Sequence, residues 1–319
     1  MKSKPIILAI FCAGMISLIP LAGHAQYDYG FEFSKAGSGG LQFLKIAVGP
    51  RETAMGEAGT AISNNINSVF WNTSGLAFID KTQFMVSHTN WLAGSTHNAA
   101  AVAFPIRGIV IGVSVISLNI PSFEETTVFE PDGTGRMVNA GDLLFGLAIA
   151  RRFTNQLVIG GQLKYAYETL DDYQFGNLLL DIGAGYDTGF RDLRFGFSLQ
   201  HFGPDMKIAD QTFRTPLLFR IGASDILVTT DNMNLLATAE LVHPTDNVEW
   251  VNTGLELTIM STLALRGGYR FNSDISDFTM GFGLKGRHRS LGALSVDYAY
   301  VPSVTVFKPV HQFSVSISL

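Results

Sequence analysis

Cysteine is nearly absent from this chain, whose 319 residues include only one, Cys12. Charged residues are also scarce, at 15% of the chain against about a quarter in soluble globular domains. The formal net charge of −5 leaves no basic excess for binding phosphate backbones, so we exclude nucleic acid as a partner. With one cysteine the fold cannot rest on disulfides, and packing with backbone pairing must stabilise it.

Long apolar runs are lacking everywhere except at the N-terminus. A membrane-spanning helix needs about 18 or more apolar residues, and only residues 5–21 approach that length. We therefore exclude a polytopic helical membrane protein. An intrinsically disordered chain is excluded as well, because 47% hydrophobic residues suffice to bury a core. Long amphipathic stretches rich in Glu, Lys and Ala are missing too, which disfavours a soluble α/β enzyme.

The N-terminus has the pattern of a secretory signal peptide. Lys2 and Lys4 form a basic start, residues 5–21 are apolar, and small residues precede a cleavage point after Ala25. A membrane anchor is the alternative, but a run this short and interrupted by a proline suits export better. We predict residues 1–25 as a cleaved signal peptide, whose removal also removes the single cysteine.

From residue 83 onward the chain alternates apolar and polar side chains, which is the pattern of β-strands. Near the C-terminus, for example, Phe313, Val315 and Ile317 alternate with Ser314 and Ser316. The pattern predicts fourteen strands, an even number, as single-chain bacterial barrels have. The predicted strands are 83–90, 97–104, 109–119, 142–153, 156–169, 177–188, 194–202, 217–224, 234–243, 249–259, 262–271, 278–285, 292–301 and 311–319.

The two faces of these strands differ in chemistry. The apolar face carries aromatic residues toward the strand ends: Phe153, Tyr165, Tyr167, Tyr186, Phe202, Trp250, Tyr269, Phe271, Tyr298 and Tyr300. The opposite face carries isolated charges in mid-strand, which are costly in a dry sandwich core but tolerable in a polar barrel lumen. The predicted lumen charges are Lys164, Asp181, Arg220, Glu240, Glu256, Arg266, Lys285 and Asp297.

These patterns predict an all-β fold, an antiparallel transmembrane β-barrel of about 14 strands formed by residues 81–319. Its outer face would contact the lipid of a bacterial outer membrane, and closure would remove the sheet edges that lipid penalises. Short turns alternate with longer loops such as 121–139 and 203–215, as when one barrel end is elaborated. A soluble sandwich is the alternative, because the same charges are ordinary on a solvent-facing sheet.

Residues 26–80 differ from the rest because they are rich in small residues and do not alternate. Residues 37–40 form a glycine-rich turn or linker, and residues 53–61 are compatible with a helix. We predict a short N-terminal hatch-like or plug-like segment with small helices, in the barrel mouth or lumen. An N-terminal strand followed by a surface loop is the alternative.

Within this segment the residues resemble the PorV/PorQ family of outer-membrane proteins, which is itself similar to the FadL-type transporters of hydrophobic compounds. The residues that carry the resemblance are Arg51, Met55, Gly56, Gly59, Trp71, Asn72, Gly75 and Leu76. The family usually has Met-Gly-Gly-Ala and later Trp-Asn-Pro-Ala-Gly-Leu-Ala. Here Glu57 replaces the second glycine, and Thr73-Ser74 replaces Pro-Ala, so the shape of that turn differs from the family pattern.

The resemblance implies two alternative functions. The leading hypothesis is support of type IX secretion, in which the barrel binds exported cargo proteins at the cell surface and hands them on. Its partners would be the type IX translocon and the cargo, bound by loops including 121–139 and 203–215. The alternative is a FadL-like transporter of a hydrophobic small molecule, with Arg51, Asn72 and the lumen charges gating or lining the path.

The two hypotheses predict different lumens. A secretion partner predicts a plugged lumen together with an exposed apolar loop surface. A transporter predicts an apolar pocket, lined by Phe, Leu and Met, between the hatch-like segment and the barrel wall.

No sequence motif in this chain indicates catalysis or cofactor binding. Residues 281–286 match the dinucleotide pattern G-x-G-x-x-G, but a strand rather than a helix follows, so these glycines more simply relieve crowding in a barrel. The histidines show no metal-binding spacing, and no Gly-x-Ser-x-Gly elbow is present. A lipase pair of Ser198 with His201 is a remote alternative. We predict a protein that is not an enzyme and has no cofactor or metal.

Overall fold

Strands dominate the computed structural model of the chain, which describes residues 38–208, 211–272, 276–288, 292–302 and 307–319. Within them, fourteen strands form a closed antiparallel barrel. They are β1 (Gln83–Asn90), β2 (Thr96–Ile106), β3 (Ile109–Glu124), β4 (Met137–Arg152), β5 (Leu157–Leu170), β6 (Tyr173–Asp187), β7 (Arg194–Phe202), β10 (Leu218–Thr229), β11 (Met233–Pro244), β12 (Trp250–Ile259), β13 (Leu263–Phe271), β14 (Phe278–His288), β15 (Gly292–Val301) and β16 (Val310–Ser318). A separate two-stranded hairpin, β8 (Met206–Ile208) with β9 (Gln211–Phe213), lies between β7 and β10 in the chain.

The barrel is a meander in which each barrel strand pairs with the barrel strands before and after it in the chain, so that β7 pairs with β10. It closes by pairing β1 with β16, from Gln83 opposite Ser318 to Asn90 opposite His311. The prediction of a fourteen-stranded barrel is confirmed, and the sandwich alternative is wrong because the sheet closes on itself. Each predicted strand overlaps one barrel strand, and the predicted bounds 83–90, 194–202 and 292–301 match the observed strands β1, β7 and β15.

The outer wall of the barrel is apolar because side chains alternate between the two faces. In β4, Phe145, Leu147 and Ile149 are exposed on the outside, while Gly146 and Ala148 are buried inside. Such a band of exposed apolar side chains around a closed sheet is the surface that lipid covers in transmembrane barrels. No helix among the described residues is long and apolar enough to cross a membrane.

The two ends of the barrel differ in the length of their connections. One end has compact connections such as 107–108 and 260–262, and we call it the short-turn end. The other has the longer connections 91–95, 125–136 and 245–249, and we call it the long-loop end. In outer-membrane barrels the short turns face the periplasm. Residues 121–124 and 137–139, predicted as loop, belong to β3 and β4 instead, because these two strands extend beyond their neighbours.

Residues 38–82 fill the lumen, and we call them the N-terminal plug. They contain two short α-helices, Pro50–Ala54 and Ser68–Trp71, and two 3-10 helices, Gln42–Lys45 and Thr73–Phe78. A further 3-10 helix, Leu92–Gly94, follows β1. The plug runs from the long-loop end, where Gly40 N donates to Arg214 O, to the start of β1 at the short-turn end. The predicted signal peptide, residues 1–25, lies outside the described residues, as do residues 26–37 of the predicted hatch-like segment.

The helix predicted from sequence at 53–61 is wrong in its bounds. The observed helix is Pro50–Ala54, and the chain leaves it because Gly56 and Glu57 have φ angles of 68° and 63°. These left-handed conformations end a helix, and glycine adopts them at little cost. The small residues that follow pack against the barrel wall as irregular backbone.

Glycines on the inner wall let the backbone of the plug approach the sheet. A Cβ added to Gly268 would lie 1.9 Å from Gly56 N, and one added to Gly183 would lie 2.1 Å from Asn72 Oδ1. Gly281, from the pattern that resembled a dinucleotide motif, would place a Cβ 2.6 Å from Ala54 Cβ. These glycines therefore serve close packing inside the barrel.

The lumen has an apolar side and a polar side. On the apolar side, Leu44, Val69 and Leu76 of the plug pack in one core with Ile116 of β3 and Leu144 of β4. The inward face of β2 and β3 is apolar there, in contrast to the polar lumen expected from sequence. The polar side lies along β5 to β7 and β10 to β15, where the charged side chains are found.

Candidate functional site

Buried charges on the polar side of the lumen join the plug to the wall. Arg51 forms two hydrogen bonds with Glu256, from Nε to Oε2 at 3.0 Å and from Nη2 to Oε1 at 2.9 Å. Arg266 donates to the same carboxylate and, through Nη1, to Asp297 Oδ1, each at 2.6 Å. This row of four groups alternates in sign, so each buried charge has an opposite neighbour.

A second buried group surrounds Arg220 on β10. Its Nη1 donates to Glu240 Oε1 at 2.8 Å, its Nε donates to Gln200 Oε1 at 3.1 Å, and its guanidinium lies 5.2 Å from the centre of the Trp71 ring. Glu240 also accepts a hydrogen bond from Thr60 N of the plug at 2.8 Å. The Arg220 guanidinium therefore contacts both the Glu240 carboxylate and the face of the Trp71 ring.

The third group combines Lys164, Asp181 and His201. Lys164 Nζ lies 2.6 Å from Asp181 Oδ2 and 2.8 Å from His201 Nδ1. His201 has a φ of 64°, and the register of β6 and β7 shifts between Leu180 and Ile182, which marks a bulge in the wall. The group borders a small cavity of about 30 Å³, room for about one water molecule.

The structure brings seven of the eight predicted lumen charges into these three groups. The eighth, Lys285, lies on the inward face of β14 near the short-turn end and is exposed. It lines the same cavity as Arg266 and Asp297. Trp250, predicted among the outer aromatic residues, faces the lumen instead, because the alternation of β12 points it inward with Asn252 and Gly254.

The residues that resemble the PorV/PorQ motif hold the plug together. Trp71 Nε1 donates to Val48 O at 2.7 Å, and its ring covers Gly59, where a Cβ would lie 2.6 Å from the ring. Asn72 caps the 3-10 helix Thr73–Phe78, accepting from Ser74 N at 3.2 Å. The remaining motif residues pack in the same way: Met55 and Leu76 are fully buried, Gly56 N donates to Thr279 Oγ1 at 3.0 Å, and Gly75 approaches Ser63 O.

A cavity of about 280 Å³ lies at the long-loop end between the plug and the wall, and we call it the upper chamber. Its apolar lining comes from Trp91 of connection 91–95, from Trp250, Val301 and Val310 of the wall and from Ile46 of the plug. The ion pair of Arg270 with Glu57 also lines it. Lys45 at its edge is paired with Asp246 at 2.9 Å. The chamber is large enough for a single-ring hydrocarbon, since a cavity of about 150 Å³ binds benzene in another protein.

A second cavity of about 290 Å³ lies at the short-turn end, and we call it the lower chamber. It is polar, with Arg51, Arg266, Lys285 and Asp297 around it and asparagine and serine side chains at its rim. The helix Pro50–Ala54 borders both chambers, because Thr53 lines the upper one and Arg51 lines the lower one. We call this helix the partition helix.

Glu52 lies on the partition helix, in the plug and not in a membrane-spanning strand. Burial raises the pKa of Glu52 to about 7, although the neighbouring Arg51 charge and a 2.9 Å hydrogen bond from Asn67 Nδ2 act in the opposite direction. The partition helix therefore carries a carboxyl group that exchanges its proton near neutral pH.

Sequence reasoning missed the residues that form the upper chamber. Trp91 and Trp250 are two of the three tryptophans of the chain, and their rarity is the one signal that pointed to them. The pocket predicted for a transporter was lined by Phe, Leu and Met, whereas the upper chamber is lined by Trp, Val and Ile. Within the described residues, no cluster of His, Cys, Asp or Glu has the arrangement of a metal site.

Solved structures of similar fold are known. The toluene transporter TbuX of Ralstonia pickettii has a TM-score of 0.59 at 11% identity, over 85% of this chain and 97% of that one. The Pseudomonas putida toluene transporter TodX has a TM-score of 0.60 at 10% identity, over 85% and 97%. The monoaromatic hydrocarbon channel CymD has a TM-score of 0.56 at 11% identity, over 86% and 97%. At these identities the likeness shows the fold alone.

No family model matches the sequence, and no curated protein matches it. The resemblance to PorV/PorQ therefore stays a prediction, as does the type IX hypothesis that follows from it. The proteins of similar fold are transporters and channels for hydrocarbons.

Proposed function

We propose that this chain is an outer-membrane barrel that carries small apolar molecules through its lumen. The observation that supports this most is the upper chamber, a cavity of about 280 Å³ between plug and wall whose apolar lining includes two tryptophans. Ligand pockets combine apolar walls with polar groups that orient the ligand. In this chamber the tryptophans and valines supply the apolar wall, and polar side chains that include the ion-paired Lys45 and Arg270 line the rest. The likeness to toluene transporters and a monoaromatic hydrocarbon channel supports the same ligand class.

The outer-membrane location is part of the proposal. It is supported by the closed barrel, by the exposed apolar side chains around its outside and by the fold it shares with the hydrocarbon channels. The signal peptide at 1–25, the hatch-like segment at 26–80 and the barrel at 81–319 complete the proposed organisation.

The proposed path runs from the upper chamber past the partition helix to the lower chamber. The helix is held by the Arg51–Glu256 pair and by the contact of Ala54 with Gly281. Passage therefore requires the partition helix to move, and the hydrogen bonds of Arg51 with Glu256 must break for it to do so. This assigns to Arg51 and the lumen charges the gating role that the FadL-like alternative implied, and to Asn72 the role of holding the rest of the plug in place.

The ligand site is tested by narrowing the upper chamber. Val310 lines the chamber and is 3% exposed, whereas Val315 on the same strand faces outward and is 39% exposed. Val310→Phe should abolish the uptake of radiolabelled toluene that expression of the wild-type barrel confers on cells. The matched control Val315→Phe should leave that uptake unchanged. Equal toluene uptake by wild type and Val310→Phe, at equal levels of folded barrel, would contradict the proposal.

A contact measurement locates the ligand independently. Bromobenzene has the shape of toluene and quenches tryptophan fluorescence on contact. In purified barrel it should quench variants that retain only Trp91 or only Trp250, and leave a variant that retains only Trp71 unquenched. Trp71 lies outside the upper chamber, so equal quenching of all three variants would mean nonspecific partitioning and would contradict the assignment.

A second candidate function is the binding of exported proteins, as the PorV/PorQ resemblance implies. It is favoured by Val128 and Phe129 at the tip of connection 125–136, which are 95% and 94% exposed. Exposed apolar side chains on an ordered loop suit a protein contact. An affinity pull-down from outer membranes distinguishes the two functions. Recovery of a translocon, lost in a Val128→Ser/Phe129→Ser variant, supports cargo binding, and recovery of the barrel alone counts against it.

A further inference from the structure

The lower chamber carries an excess of positive charge. Three cations line it, namely Arg51, Arg266 and Lys285, and the carboxylates that face them are Asp297 and, behind the arginines, Glu256. Glu52 is a third carboxyl group near Arg51, joined to the chamber lining through Asn67. While Glu52 is protonated, three positive charges face two negative ones, which leaves one positive charge over. A cavity of this kind at a barrel mouth concentrates small anions.

Arg266 and Lys285 both have N–H groups without an acceptor among the described residues. Arg266 donates through Nε and Nη1, but its Nη2 is buried and has no acceptor among the described residues. The Arg266 side chain is 0% exposed, so bulk water does not compensate this group, and a buried donor without an acceptor is costly. Within the described part of the chain, Lys285 Nζ takes part in no ion pair, although it lies on the same cavity as Arg266.

We propose that the lower chamber is a binding site for one small organic carboxylate. Its oxygens would accept hydrogen bonds from Lys285 Nζ and, after a small shift of the buried Arg266 side chain toward the chamber, from Arg266 Nη2. Both hydrogen bonds are charge-assisted and suit a carboxylate. A monovalent anion balances the single excess charge that the chamber carries while Glu52 is protonated, whereas a divalent phosphate would leave a negative excess beside Asp297 and Glu256. The volume of about 290 Å³ accommodates a molecule of the size of benzoate.

The inference goes beyond the proposed function and does not depend on it. It requires only the charges of the lower chamber, which lies on the other side of the partition helix from the tryptophan-lined upper chamber. A barrel that carries no hydrocarbon would still bind the carboxylate.

The test is a calorimetric titration of the purified full-length barrel with sodium benzoate, at constant ionic strength set with sodium chloride. Benzoate should bind with one site, and the neutral analogue benzyl alcohol should not bind in the lower chamber. Lys285→Gln should weaken benzoate binding about tenfold or more, since one charge-assisted hydrogen bond is lost. Lys285 is exposed near the strand end, so this variant should fold.

The matched control is Arg287→Gln, which removes one positive charge from the same face of β14 outside the chamber. It should leave benzoate affinity within about twofold of wild type. A second variant, Arg266→Lys, keeps the charge but removes Nη2, and should also weaken binding. An equal loss in Lys285→Gln and Arg287→Gln would mean general electrostatic attraction and overturn the site, as would absence of benzoate binding.

Two further comparisons separate this inference from the proposed function. Val310→Phe, which blocks the upper chamber, should leave benzoate affinity unchanged. Titration with inorganic phosphate should give weaker binding than benzoate, and tighter phosphate binding would overturn the assignment to a carboxylate.

Discussion

Asn72 shows how one side chain joins separate parts of the lumen. Its Nδ2 donates to Thr60 O in the plug and to Ala184 O on β6, both at 3.0 Å. Its Oδ1 accepts from Ser74 N at 3.2 Å and from Ser74 Oγ at 2.7 Å. Ser74, in one of the two places where this chain departs from the PorV/PorQ pattern, is thus a hydrogen-bond partner of Asn72.

Asn72→Ala should lower the free energy of unfolding by about 2–4 kcal/mol, because it leaves buried carbonyl and amide groups without partners. Guanidinium titration of the barrel in detergent micelles measures the change. Asn119→Ala is the control, since Asn119 is exposed on the outside of β3 and makes one long hydrogen bond of 3.4 Å to Ser117. A loss in Asn72→Ala no larger than in the control would contradict this role.

At the scale of elements, the fit between plug and wall depends on which face of a strand a glycine occupies. Gly267 and Gly268 are neighbours on β13, but they face opposite sides of the wall. A Cβ at Gly267 meets nothing within 4 Å, whereas a Cβ at Gly268 would collide with the backbone of Met55 and Gly56. The turn after the partition helix therefore packs directly against the backbone of β13.

Gly268→Ala should push this turn off the wall and lower stability by about 1–3 kcal/mol, the usual cost of overpacking. The displaced plug should also be cleaved by trypsin at Arg51 faster than in wild type. Gly267→Ala adds the same methyl group on the outer face and should leave the cleavage rate unchanged. Similar cleavage of both variants would show that the plug does not rest on β13.

At the scale of the whole molecule, closure of the sheet makes the barrel resistant to unfolding by detergent. All fourteen barrel strands have a partner on both sides, so the barrel has no free edge at which unfolding begins. Where neighbouring strands pair, their polar backbone groups bond within the sheet, as lipid requires.

The protein should accordingly stay folded in sodium dodecyl sulfate until it is heated. Unheated samples should migrate ahead of boiled ones on a gel, and the protein should remain in the pellet when sarkosyl dissolves the inner membrane. Identical migration with and without heating, or extraction with the inner membrane, would argue against an outer-membrane barrel. A cytoplasmic protein of the same expression level serves as the fractionation control.

Much of the barrel follows from the sequence because strand alternation is a local property. Two successive residues point to opposite faces wherever the chain is extended, so period-two patterns predicted all fourteen strands. The same rule placed Lys164, Glu256 and Arg266 on the inner face. The assignment of strand-end aromatic residues to the outer face was wrong at Trp250, which the alternation of β12 points inward, where it lines the upper chamber.

The sequence by itself therefore determined the strand count, the closed sheet and the inward face of most charges. Only the tertiary structure decided which charges pair, since Arg51 and Glu256 are 205 residues apart in the chain. It also decided where the partition helix ends, because the left-handed backbone angles at Gly56 and Glu57 are not visible in a pattern of small residues. The two chambers belong to the tertiary structure for the same reason, as each is a space left between elements that are distant in sequence.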